Sequence, residues 1–151
     1  MDSSITNRQR FQFTNKVKER LIFVISQVCI FLFLYTGYAK LKYHTRFLNG
    51  LYHVAIISRF AFYISWLVPL AEILVATLLV IPRTVKIGFY NFLGLMTVFT
   101  VYILSVLLWA SKLPCHCGGA IEKLSWTQHV WFNLAFIGLA IFALRLLKAK
   151  D

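Results

Sequence analysis

Cys115 and Cys117 are the side chains in this sequence best placed to do chemistry. They lie in the run Leu113-Pro114-Cys115-His116-Cys117-Gly118-Gly119. A disulfide across a single intervening residue closes a small ring. Strain in that ring raises the reduction potential and makes the bond labile. Gly118 and Gly119 relax the backbone beside it. A protonated His116 favours the thiolate, the form that attacks disulfides, and Lys112 adds to the positive local field. These features predict thiol–disulfide exchange, with Cys115 and Cys117 as the exchanging pair and His116 as a proton-handling neighbour. Cys115, His116 and Cys117 are also soft ligands suited to copper, zinc or mercury, so metal binding or transport is the alternative reading. Structural zinc prefers four ligands at wider spacing, which argues against a closed zinc site. A third reading leaves the cysteines inert and makes the chain a non-catalytic assembly subunit.

Glu72 is the next candidate, because it is the one acid inside a long apolar run. A carboxylate in hydrocarbon is costly, so it is expected to face other helices with a partner, here Lys40 or Arg59. Its role is then proton transfer and a polar pocket, or a structural hydrogen bond between helices. A quinone could occupy such a pocket, although no motif demands one. His129 can shuttle a proton to a thiolate, and a plain interfacial position is its competing role. Cys29, inside an apolar run, reads as a small buried residue. His44 and His53 read as interfacial.

Long apolar segments must position these residues. Hydrophobic residues make up 60% of the 151, and mean hydropathy is +0.73. A soluble domain sits nearer half apolar, and here the excess is gathered into runs. From Leu21 to Ala39 no charge occurs. At ~1.5 Å per residue that stretch matches the ~30 Å hydrocarbon core. A signal peptide is the competing interpretation, since Gly37-Tyr38-Ala39 looks like a cleavage site, but the run is too long for a signal core. Further spans are expected at about residues 60–81, 87–110 and 127–144. Between the first two, Phe47, Leu48, Leu51, Tyr52, Ala55 and Ile56 recur at helical spacing and predict an amphipathic interfacial helix. The expected fold is all-α, an integral membrane four-helix bundle. Residues 1–20 form a basic arm and residues 111–126 the cysteine loop.

A net charge of +11 would suggest nucleic acid in a soluble protein. Here the basic residues flank apolar runs, which fits topology signals and contacts with the lipid bilayer and excludes nucleic-acid binding. Arg8, Arg10, Lys16, Lys18, Arg20, Arg83, Lys86, Arg145, Lys148 and Lys150 fall on one side of a four-span chain. Lys40, Lys42, Arg46, Arg59, Lys112 and Lys123 fall on the other. The positive-inside rule therefore puts both termini in the cytoplasm. The cysteine loop then faces outward, which in a bacterium is the oxidising periplasm beyond the inner membrane.

Three motifs in order carry a family resemblance: Gly37-Tyr38-Ala39-Lys40-Leu41, Pro69-Leu70-Ala71-Glu72 and Cys115-His116-Cys117-Gly118-Gly119. With them the chain resembles the MauE group of the DoxX-like, redox-associated membrane proteins. The resemblance implies a four-helix membrane fold and a link to methylamine utilisation. It also implies a thioredoxin-like periplasmic partner and a part in forming disulfides in methylamine dehydrogenase. The loop in that group commonly reads Cys-Gly-Cys-Phe-Gly. Here His116 stands in place of the first Gly and Gly118 in place of Phe.

Overall fold

The computed structural model describes residues 2–54, 57–109 and 126–149, and every regular element among them is helical. Helix α1 runs Asp2–Lys42, α2 His44–Tyr52, α3 Ala61–Val80, α4 Val85–Trp109 and α5 Trp126–Lys148. One turn of 3-10 helix, Ser58–Phe60, leads into α3. Among the described residues, four segments are long and apolar enough to cross a bilayer: Asn15–Lys42, Ser58–Val80, Val85–Leu108 and Thr127–Lys148. The chain is thus a multi-pass, four-helix membrane protein, as the hydropathy pattern predicts.

The basic arm is continuous with the first span, because α1 already begins at Asp2. Its 41 residues extend about 60 Å, twice the hydrocarbon thickness. The helix therefore continues past the lipid on its N-terminal side. At its other end Lys40 and Lys42 lie in the last turn, where cations complement the helix dipole.

Proline chemistry ends α3. Ile81, the residue before Pro82, is extended at φ −85° and ψ 118°, as the proline ring requires. Thr84 Oγ1 then donates to the Leu78 carbonyl at 2.9 Å, satisfying an acceptor left over at the helix end. The return of α4 depends on Gly88, where an added Cβ would come within 2.9 Å of Leu79.

The helices form a ring in the order α1, α3, α4, α5, with α5 closing on α1. Two apolar clusters fill it. The larger joins Cys29, Ile30 and Phe33 of α1 to Val75, Ala76 and Leu79 of α3, Phe89, Phe92 and Met96 of α4, and Ala140 and Ala143 of α5. Phe33 and Phe92 meet at its centre with ring centroids 4.4 Å apart. The smaller cluster joins Phe47 and Leu51 of α2 to Ala61 of α3, with Tyr102 of α4 against them. It lies at the end of the bundle where α1 stops and α3 starts. Outward faces carry large apolar side chains such as Phe31, Tyr63, Leu67 and Leu108, as a surface solvated by lipid requires.

The expected amphipathic helix is α2, which buries Phe47, Gly50 and Leu51. It is a separate helix, joined to α3 through the 3-10 turn, and it packs on both α1 and α3. Ala55 and Ile56, expected on its apolar face, lie outside the described residues.

Candidate functional site

Polar chemistry inside the bundle gathers where α1 crosses α3. Gly37 permits that approach. An added Cβ there would lie 3.4 Å from Glu72 Oε2 and 3.5 Å from the Pro69 carbonyl, so the α3 surface rests almost directly on the α1 backbone. Close crossings of this kind use small residues, because nothing else admits two backbones so near.

Glu72 is 1% exposed, and Lys40 reaches it from one helical turn past Gly37. Lys40 Nζ donates to Glu72 Oε1 at 2.7 Å. The ammonium also lies 5.3 Å from the ring centroid of Phe99 on α4 and 6.0 Å from that of Phe47 on α2. The aromatic faces supply attraction for a cation that lipid cannot solvate. Lys40 thereby ties four helices to one charge. Arg59, the other expected partner, is exposed in the 3-10 turn.

Thr36 completes the first carboxylate oxygen. Its Oγ1 lies 3.2 Å from Glu72 Oε1 and 2.9 Å from the Leu32 carbonyl. One hydroxyl hydrogen serves both acceptors, so it must choose between the carboxylate and the helix backbone. Glu72 Oε2, by contrast, has no hydrogen-bond partner among the described residues.

A second polar pair lies two turns along α3 toward the α2 end. His44 Nε2 and Ser65 Oγ are 3.0 Å apart, and Ser65 is fully buried. The Ser65 hydroxyl donates to the Phe62 carbonyl at 2.6 Å. Its only hydrogen is therefore committed, and His44 Nε2–H is the donor to Ser65. This fixes the tautomer of a neutral His44 and leaves Nδ1 as its acceptor. The ring is held over Trp66 with centroids 4.6 Å apart. Pro69 lies between Ser65 and Glu72 on the same buried face. It has no N–H, so the Ser65 carbonyl lacks its usual helical partner. His44 is half-buried against α3. His53 is exposed, with Nδ1 2.7 Å from the Asn49 carbonyl.

Of the residues singled out by sequence, Glu72 and Lys40 come together. His129 is half-buried in the first turn of α5. Cys115, His116 and Cys117 lie outside the described residues, in the connection between α4 and α5. Among the described residues, no three His, Cys, Asp or Glu side chains gather as a metal site. Thr36, Ser65 and the role of His44 were missed by sequence reasoning. Thr36 had a usable signal, since it precedes Lys40 by four residues and so shares its helical face.

Four spanning helices packed around an apolar core, with a buried ion pair between the first and second spans, define the class: a small polytopic membrane protein. Comparison with known families matches residues 18–146 to the family described as methylamine utilisation protein MauE. That match covers most of the chain, and the protein belongs to this family. No curated protein and no solved structure matches it.

Proposed function

We propose that this protein is the membrane component of a thiol–disulfide relay, acting outside the cytoplasm of a bacterium in methylamine or related amine metabolism. The Cys115–Cys117 spacing carries the reading, in a chain whose family is linked to methylamine utilisation. Both termini lie in the cytoplasm, as the distribution of basic residues favours, and the cysteine pair faces the periplasm.

A thiolate of the pair attacks one sulfur of a disulfide on a thioredoxin-like partner, and the other partner sulfur leaves as thiolate. The neighbouring cysteine then attacks the mixed disulfide, closing Cys115–Cys117 and freeing the second partner thiolate. The partner gains two electrons and the pair loses two; the reverse direction oxidises the partner. His116 and His129 take up and return the thiol protons. A membrane quinone is the class of carrier able to exchange the two electrons on the lipid side.

Trapping tests this. Cys115→Ser or Cys117→Ser blocks resolution and should accumulate a mixed disulfide with the partner on non-reducing gels. The double variant should form none. Adducts that persist in the double variant would remove the pair from the mechanism.

A further inference from the structure

We propose that Glu72 is a proton-binding site reached from only one end of the bundle, the end that carries α2. The inference rests on the packing in and around the α1–α3 crossing and is independent of the cysteine chemistry.

The two carboxylate oxygens are not equivalent. Oε1 is served by Lys40 at 2.7 Å and Thr36 at 3.2 Å. Oε2 belongs to a side chain 1% exposed and has no partner among the described residues. A buried acceptor left unsatisfied is costly, and more so for a charged group. The space beside Oε2 is closed by the Gly37 backbone, where even one added carbon would be in van der Waals contact. Packing of that kind leaves room for a proton on Oε2. Uptake converts the carboxylate to the acid, with the proton on Oε2. Lys40 keeps its ammonium hydrogens and its bond to Oε1, so the pair changes from neutral to singly positive.

Access follows from what lines α3 on either side of Glu72. Toward the α2 end come Pro69, the Ser65 carbonyl that Pro69 leaves without its helical donor, the Ser65 hydroxyl and then His44. Past the apolar Pro69 ring these groups are polar, and the series covers about two helical turns, roughly 10 Å. Toward the opposite end the same face continues as Val75, Ala76 and Leu79, sealed against Phe33, Phe89 and Phe92. That packing is close and apolar; the Ser26 hydroxyl of α1 is buried there too, but Cys29 and Phe33 separate it from Thr36 along that helix. The titratable group in contact with Glu72 is Lys40 from α1; His44 of α2 and Tyr102 of α4 lie farther off at the α2 end, and Cys29 of α1 is buried in the larger cluster on the other side.

The test uses the full chain in lipid vesicles with its orientation fixed by protease access to the N-terminal arm. Infrared difference spectra are taken as pH is stepped down on one side of the membrane at a time. The expected signal is a protonated-carboxyl carbonyl band that shifts in D2O and is lost in Glu72→Gln. It should rise when pH falls in the compartment facing the α2 end, and Ser65→Ala with His44→Ala should slow that rise. A band that follows the opposite compartment, or both equally, overturns one-sided access. No Glu72-dependent band at any pH at which the bundle stays folded overturns proton binding itself.

Discussion

Lys40 Nζ lies 2.7 Å from Glu72 Oε1, with the lysine side chain 15% exposed and the glutamate 1%. Removing one partner strands the other charge among the helices. Such a loss costs about 3–5 kcal/mol, whereas replacing both partners with apolar groups of similar volume is often neutral. Lys40→Met should therefore destabilise the protein strongly, and adding Glu72→Leu to it should recover most of the loss. Denaturant unfolding in detergent, read as a double-mutant cycle, measures the coupling. Two single losses that merely add would show that the pair does not hold α1 to α3.

Glycines give a second contrast within one fold. Alanine at Gly88 brings its Cβ to 2.9 Å from Leu79 Cδ2 and 3.0 Å from the Leu79 backbone nitrogen, and that nitrogen cannot rotate away. The α3–α4 turn must open, at about 1–3 kcal/mol. At Gly94 and Gly138 an added Cβ meets nothing within 4 Å. There alanine should leave stability unchanged or raise it by up to ~1 kcal/mol through helix propensity. Melting temperatures of the three variants in one detergent rank them.

Phenylalanines on opposite faces of α1 separate core from lipid surface. Phe33 is 1% exposed and packs against Phe92, while Phe31 is 71% exposed. Phe33→Ala opens a cavity among four helices and should cost about 3–5 kcal/mol. Phe31→Ala exchanges protein–lipid contact for lipid alone and should cost well under that. Equal losses would mean that Phe31 faces protein.

The four spans were legible because lipid imposes one rule, long uncharged runs bounded by charge and proline, and the runs from Leu21 and to Pro82 obey it. Glu72 was legible as a group needing a partner, for the same reason. The choice of Lys40 over Arg59 was not, because it depends on how closely α1 meets α3, and Gly37 sets that distance. Helix α2 was visible in the spacing of Phe47, Leu48 and Leu51, but its length was not. Tyr43 breaks from helical geometry before it, and the 3-10 turn at Ser58–Phe60 separates it from α3. The role of His44 was hidden because a lone histidine near a span end fits many positions. Only the committed hydrogen of Ser65 assigns its proton.

Three cysteines allow a last, topological prediction. Cys29 is fully buried within the larger core cluster, so a bulky reagent should modify it only after the bundle unfolds. Cys115 and Cys117 lie between two spans, in the connection that the proposed orientation puts outside. A membrane-impermeant maleimide added to intact cells should therefore label both and leave Cys29 untouched until detergent denaturation. If the pair rests as a disulfide, labelling should appear only after brief reduction, since maleimide takes free thiolate. Each sulfur is assigned by single Cys→Ser variants and peptide mass spectrometry. Labelling of the pair only in inverted vesicles would put it in the reducing cytoplasm, where a labile disulfide has no oxidising setting. The proposed orientation and the proposed relay would then fail together, while the buried ion pair and its proton site would stand on their own geometry.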